Sequence, residues 1–121
     1  MNIENIYNLI EQTFKVNEAL LTDEFINEYL DLRDSKSFDE KWINAYEYMK
    51  DISSSNEDFL VQDDNLRERV FKIVVSISRS YELAEYISDD AGLIYASIFF
   101  GVKNDFINHI YNCYKKNVLP N

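Results

Sequence analysis

The most constraining feature of the sequence is an almost uninterrupted apolar run at residues 93–100, in which only Ser97 is polar. A helix that is apolar on nearly every side must be enclosed by other helices. The preceding Ser-Asp-Asp at residues 88–90 offers a cap and negative charge to a first turn, and Gly101 offers the left-handed residue that stops a helix. The sequence therefore predicts a central helix over residues 90–101.

Turn-forming residues are scarce in the rest of the chain. Its 121 residues include two glycines and one proline, whereas 46% are apolar and 15% are aromatic. This composition leaves little of the turn chemistry that β-hairpins need, and it supplies a core that requires neither disulfides nor metals. We therefore expect an all-α fold in a single domain over residues 1–121. The expected architecture is a compact bundle of six or seven helices, packed as sequential antiparallel hairpins.

Apolar residues at spacings of three and four predict the other helices, and polar residues before them predict their caps. Residues 52–65 are rich in serine, asparagine and acidic residues, and they are predicted to form a loop. The predicted helices are residues 2–16 capped by Asn2, 23–33 capped by Thr22, 37–52 with a capping box at 37–40, a helix capped by Asp63 or Asp64 and ending near Arg79, 81–87 capped by Ser80, and a last helix capped by Asn104.

Negative charge is concentrated in the first half of the chain. Residues 1–64 contain 16 acidic and 5 basic side chains, a balance of −11, whereas residues 65–121 contain 6 and 7, a balance of +1. Such a surface repels nucleic acid and favours a basic protein partner that is guided by electrostatic attraction. The alternative interpretation is that an acidic surface only keeps the protein soluble.

The acidic residues of the first half form stripes on predicted helices, and these stripes could imitate the charge of a phosphate backbone. A solvated helix exterior is the alternative explanation. Apolar anchors are expected from Tyr29, from Tyr48 or from the segment around Phe59, which otherwise packs on the core. The candidate partner-binding residues are Glu24, Glu28, Asp31, Glu40, Glu47, Tyr48, Asp51, Glu57, Asp58, Phe59, Asp63 and Asp64.

Motifs for catalysis and cofactor binding are missing. His109 and Cys113 supply at most half of a zinc site, because the chain has no other histidine or cysteine. Two glycines nine positions apart cannot form a phosphate-binding loop. A pair of carboxylates for hydrolysis could lie among the 22 acidic residues, but no pattern singles it out. We therefore expect no enzyme, with no catalytic residue, metal or cofactor.

The sequence also bears on location. The first sixteen residues lack the basic start and continuous apolar run of a secretion signal, and the longest apolar run is too short to cross a bilayer. A single cysteine cannot form an internal disulfide, which fits a reducing compartment. We therefore expect a cytoplasmic protein without membrane contact.

The last third of the chain resembles a known family. Residues 81–121 contain the run Glu-Leu-Ala-Glu-Tyr-Ile-Ser-Asp-Asp-Ala-Gly-Leu-Ile, then Asn-Asp-Phe-Ile-Asn-His-Ile-Tyr, and they continue to Tyr114 and Leu119-Pro120. Short acidic caps, aromatic helix faces and a terminal proline resemble the small all-helical immunity proteins of polymorphic toxin and contact-dependent growth inhibition systems. The resemblance implies a cytosolic inhibitor that binds one cognate toxin, often a nuclease. It carries no motif that transfers binding positions.

The residues and the resemblance together predict an immunity protein that neutralises a basic toxin domain, a nuclease, by occluding its active site. The free protein is expected to be a monomer or a weak dimer that does not bind nucleic acid directly. Two alternatives remain open. One is an acidic helical interaction module, acting as a homodimer or as a nucleic-acid mimic, and the other is a cofactor-free hydrolase with paired carboxylates.

Overall fold

A computed structural model describes residues 3–121, which form six α-helices, one short 3₁₀ helix and no strand. The all-α prediction is therefore confirmed. No helix within residues 3–121 has the length and apolar character needed to traverse a bilayer. The elements in chain order are α1 (Ile3–Val16), the 3₁₀ helix (Glu18–Leu20), α2 (Asp23–Arg33), α3 (Lys36–Ser53), α4 (Glu57–Ser78), α5 (Tyr81–Phe99) and α6 (Asp105–Lys115).

The apolar run forms the centre of the fold, as the sequence predicts. Every residue from 90 to 97 is buried in α5. α4 and α5 form a helical hairpin through a two-residue connection at Arg79 and Ser80, and α1 packs across α4, α5 and α6. α3 and α6 cover the remaining sides of α5, so the helix is enclosed as its composition requires.

Several helix ends follow local signals. The side chains of Thr22 and Asn104 accept hydrogen bonds from backbone amides three residues later, at the starts of α2 and α6. Gly101 has a φ of +64°, the left-handed conformation expected after α5. Asn2, the cap predicted for α1, lies outside the described residues.

The predicted break before residue 90 is wrong. α5 is one helix that begins at Tyr81, where the Ser80 side chain accepts from the Leu83 amide. Ser88 donates within the helix to the Glu85 carbonyl, so it caps nothing. Asp90 is 0% exposed and forms an ion pair with Arg33 of α2. Its carboxylate is therefore paired in mid-helix and does not act as a helix cap.

The loop predicted at residues 52–65 is much shorter in the structure, where only residues 54–56 lie between α3 and α4. α4 begins at Glu57, and the Asn56 side chain accepts from the Phe59 amide, so Asp63 and Asp64 lie in mid-helix rather than at a cap. Phe59 begins an apolar series at helical spacing that continues into the core of α4. The capping box at residues 37–40 is likewise not formed, because α3 begins at Lys36 after Ser35.

A buried polar network joins four helices around Asp90. The Arg33 guanidinium donates to both carboxylate oxygens of Asp90, at 2.8 and 3.0 Å. The Trp42 indole nitrogen donates to Asp90 at 2.9 Å and the Tyr114 hydroxyl at 2.7 Å. Burial raises the pKa of Tyr114, which keeps its hydroxyl protonated as a donor. The network therefore holds α2, α3 and α6 against α5.

Candidate functional site

A groove lies between α3 and α4. The two helices diverge from the turn at residues 54–56 and make little direct contact with each other, while α5 closes the floor between them. The volume of the groove is about 450 Å³. Its lining residues are Trp42, Tyr46, Met49, Lys50 and Ser53 of α3, Ser54 of the turn, Phe59, Leu60, Asp63, Asp64 and Arg67 of α4, and Asp89, Gly92, Leu93 and Ala96 of α5.

Small residues on α5 make the floor of this groove. Gly92 faces α4, and a Cβ atom on it would lie 2.8 Å from the Asp63 Oδ1 and 3.0 Å from the Arg67 Cδ. Both distances are shorter than ordinary contacts, so glycine provides the room for these two charged side chains to lie against α5. Ala96, one helical turn further along, also has a small side chain, which leaves space in the groove above α5.

An incompletely paired charge cluster lies on this floor. Arg67 donates to the Asp89 carboxylate at 2.6 Å, whereas its distance to the Asp63 carboxylate is 3.8 Å. Asp63 is only 8% exposed, and its Oδ1 has no hydrogen-bond partner. Burial raises the pKa of Asp63 to about 6, with Arg67 opposing the change, and burial also raises the pKa of Asp89. The cluster therefore contains a buried acceptor that the free protein does not satisfy.

The opposite wall of the groove is aromatic. Trp42 and Tyr46 are stacked, with their ring centroids 5.6 Å apart and their planes at 16°. Trp42 is fixed by its hydrogen bond to Asp90, and Tyr46 remains 45% exposed. The wall thus combines a rigid ring on the inside with an accessible ring at the mouth.

Three of the twelve predicted contact residues line this groove: Phe59, Asp63 and Asp64. Phe59 is 4% exposed and stacks on Tyr95, so it is a core residue of a helix rather than an anchor on a loop. The remaining nine are exposed, on α2 (Glu24, Glu28, Asp31), on α3 (Glu40, Glu47, Tyr48, Asp51) and in the first turn of α4 (Glu57, Asp58). The structure shows no partner, so their role in binding stays a prediction.

Tyr29, the other expected anchor, is buried. It is 4% exposed, and its hydroxyl donates to the Pro120 carbonyl, which holds the C-terminal segment against α2. Burial raises the pKa of this hydroxyl and keeps it a donor. Tyr29 therefore has a structural role and offers no exposed ring to a partner.

Sequence reasoning missed the other side of the groove. Trp42 and Tyr46 follow the apolar spacing of α3, Arg67 lies on the polar side of α4, and Asp89 has the composition of a helix cap, so none of them is among the predicted contact residues. One signal does exist in the sequence, because α3 contains more apolar residues than a single helix face can bury. Ile43, Tyr46, Tyr48 and Ile52 consequently remain exposed.

Exposed apolar side chains are concentrated on the same two helices. Of the twelve large apolar side chains that are exposed within residues 3–121, six lie between residues 43 and 61. They are Ile43, Tyr46, Tyr48 and Ile52 on α3, and Leu60 and Val61 on α4. They do not share one side of α3, because Tyr46 lines the groove whereas Tyr48 lines a depression next to the start of α6. We call the exposed side chains of residues 43–61, together with the groove, the α3–α4 surface. Exposed apolar groups concentrated in one part of a protein surface are typical of protein interaction sites.

Candidate groups for metal or thiol chemistry are few in the described part of the chain. No group of three or more His, Cys, Asp and Glu side chains within residues 3–121 is placed to hold a metal ion. The Cys113 Sγ lies 3.8 Å from the His109 Nε2, and burial raises the pKa of the thiol, which makes it a weak nucleophile. The carboxylates of Asp63 and Asp89 lie 3.8 and 2.6 Å from the Arg67 guanidinium and form an ion cluster with it.

Comparison with protein families finds a match over nearly the whole chain. A family model described as Immunity protein PIM1 matches residues 5–121. No curated protein matches the chain. The matched region includes nearly all of the six helices, and thus both the α3–α4 surface and the C-terminal third on which the sequence resemblance depends.

Proposed function

The chain belongs to the immunity protein PIM1 family, and from this premise we propose that it neutralises one cognate toxin domain by binding it through the α3–α4 surface. The family supports an immunity function and implies a toxin as partner. The proposal adds where the toxin binds and what kind of surface it presents.

The observation that carries the proposal is the coincidence of apolar groups and negative charge on α3 and α4. Residues 36–64 contain eight acidic and three basic side chains, a balance of −5. The same segment contains half of the exposed large apolar side chains in residues 3–121. Aromatic and aliphatic groups at the centre of an interface supply most of its affinity, while surrounding charges accelerate the encounter and select the partner.

We further propose that the toxin is a nuclease with a basic substrate cleft. The exposed carboxylates of Glu47 and Asp51 on α3, and of Glu57 and Asp58 on α4, would take the places of substrate phosphates. A chain bound over that cleft excludes the nucleic acid and thereby stops the reaction. The single Cys113 fits a reducing compartment, and we place the encounter in the cytoplasm.

The experiment is a measurement of association rate with the toxin domain encoded beside this chain. The variant E47K/D51K reverses two charges on α3, and the control E82K/E85K makes the same change on exposed residues of α5, outside the proposed surface. We expect the first variant to lower the association rate by about tenfold or more at low salt, because steering is electrostatic, and the control to lower it by less than about threefold.

The two variants also decide the nuclease proposal. Wild-type chain should abolish cleavage of nucleic acid by the toxin at equimolar concentration, and E47K/D51K should require an excess. Equal association rates for the two variants would show that the toxin binds elsewhere, and an association rate that does not change between low and high salt would refute electrostatic steering. Folding of each variant is checked by circular dichroism before binding is compared.

A further inference from the structure

We infer that the groove between α3 and α4 receives one basic side chain of the toxin, held between Asp63 and the stacked rings of Trp42 and Tyr46. The inference rests on the proposed function and specifies which part of the α3–α4 surface recognises the partner. Its occupant is a single arginine or lysine, distinct from the general attraction between an acidic and a basic surface.

The charges that line the groove are one cation short of neutrality. Three carboxylates, those of Asp63, Asp64 and Asp89, face two cations, those of Lys50 and Arg67, which leaves a balance of −1. Arg67 is engaged with Asp89 at 2.6 Å and remains 3.8 Å from Asp63. A single incoming cation brings the net charge of the groove to zero. Asp63 is its expected partner, because Arg67 lies closer to Asp89 than to Asp63.

The hydrogen bonds of the groove are also incomplete. The Oδ1 of Asp63 is buried without a hydrogen-bond partner, on a residue that is 8% exposed. Leaving a charged acceptor unsatisfied costs free energy that the free protein does not recover. Oδ1 itself lies against Gly92 without contact to solvent, so an ammonium or guanidinium group that enters the groove pairs with the other oxygen of the Asp63 carboxylate and offsets part of the cost of burying its charge.

The shape of the groove suits a long side chain with a charged end. Its volume of about 450 Å³ falls in the range of pockets that bind small ligands. Tyr46 and Leu60 are exposed near its mouth, and the charged groups of Asp63 and Arg67 lie deeper, near Gly92. The aliphatic stem of arginine or lysine fits the mouth, and the charged end can stack on the face of Tyr46 while it reaches Asp63.

The experiment compares two asparagine substitutions. D63N removes the charge in the groove, and D105N removes one from the exposed first turn of α6, outside the α3–α4 surface. We expect D63N to weaken affinity for the toxin domain by roughly thirtyfold or more, since it leaves a buried cation unpaired, and D105N to weaken it by less than about threefold. Affinity is measured by calorimetry, and Trp42, the one tryptophan of the chain, reports entry into the groove by its fluorescence.

A second pair of variants tests the aromatic wall. Y46A removes the exposed ring of the groove, and Y81A removes a ring that is 69% exposed on α5. We expect Y46A to weaken binding by roughly tenfold and Y81A to leave it unchanged, because only the first ring contacts the toxin side chain. If D63N folds poorly, as its circular dichroism would show, the comparison of Y46A with Y81A still decides the inference.

The partner's side chain is identified by double-mutant cycles. Alanine is substituted in turn for each basic residue on the toxin surface, and one substitution should weaken binding to the wild-type chain but cause little further loss with D63N. Equal effects of D63N and D105N, with Y46A as tight as Y81A, would overturn the inference while the proposed function survives. A toxin that does not bind the wild-type chain would overturn both. A change in Trp42 fluorescence with the chain's own concentration, without toxin, would assign the groove to a second copy and also overturn the inference.

Discussion

Replacing Asp90 with asparagine should remove a large part of the free energy that stabilises the fold. Asp90 is 0% exposed and accepts four hydrogen bonds, two from Arg33 and one each from Trp42 and Tyr114. In D90N the charge of Arg33, a residue only 4% exposed, loses its counter-ion. An amide nitrogen also replaces one of the two acceptor oxygens, so it faces groups that are themselves donors.

The expected loss is about 3–5 kcal/mol, the typical cost of breaking a buried ion pair by removing one partner. Because domains of this size are stable by about 5–15 kcal/mol, D90N should lower the urea midpoint strongly or prevent folding. The free energy of unfolding is measured by urea titration, followed by circular dichroism and by Trp42 fluorescence. Trp42 lies in the network, so its fluorescence also reports local loosening.

Asp89→Asn is the matched control, because it makes the same change one residue earlier. The Asp89 side chain is 43% exposed, and its partner Arg67 is equally exposed, so water can solvate the group that is left. We expect D89N to cost less than about 1 kcal/mol. A cost of D90N within about 1 kcal/mol of that of D89N would refute the view that the Asp90 network holds the helices together.

Three further predictions follow from single residues. Burial raises the pKa of Asp63 to about 6 from 3.8, so its contribution to stability falls as pH rises through that window. The free energy of unfolding of D63N should therefore increase relative to that of wild type by about 1–2 kcal/mol between about pH 4.5 and pH 7.5, and a constant difference in urea titrations would contradict this. Arg79 ends α4 with a φ of +59°, a conformation that glycine adopts without strain, so R79G should raise the free energy of unfolding by about 0.5–1 kcal/mol. A lower melting temperature for R79G would instead show that the Arg79 side chain contributes to stability. Phe59 is 4% exposed among aromatic rings, so F59A should cost about 3–5 kcal/mol, and a cost below about 1 kcal/mol would indicate a peripheral position.

The sequence predicted those helix ends that depend on a side chain and a backbone group a few residues apart. Thr22 and Asn104 cap α2 and α6, and Gly101 takes the left-handed conformation after α5. Each of these contacts is local, so the residue type and its position next to an apolar periodicity are enough to predict the helix end.

The errors arose where the deciding partner lies far along the chain. Asp90 resembles a helix cap in the sequence, and it becomes a buried acceptor in mid-helix because of distant donors, above all Arg33, 57 residues earlier. Residues 53–58 have the composition of a loop, yet Asn56 begins α4 there because Phe59 already packs on α5. The same local composition is compatible with a helix end or loop and with the middle of a helix, and tertiary packing determines which of them forms.

The candidate site was predicted only in part for the same reason. Asp63 and Asp64 were selected by their charge, but the groove exists because α3 and α4 diverge over α5, and no local pattern encodes that angle. Trp42 has the apolar spacing of a core residue, and its indole nitrogen is bonded to the buried Asp90. Its ring nevertheless forms a wall of the groove, which the spacing alone does not predict.

The most direct test of the binding surface is hydrogen–deuterium exchange of the chain with and without its toxin domain. If the toxin binds on the α3–α4 surface, amides in residues 42–67 should exchange more slowly in the complex, because contact reduces their opening and their access to water. Amides in α6, on the near-neutral half of the chain, should be little changed. Protection confined to α6 and the C-terminal segment, with residues 42–67 exchanging as in the free protein, would contradict the account.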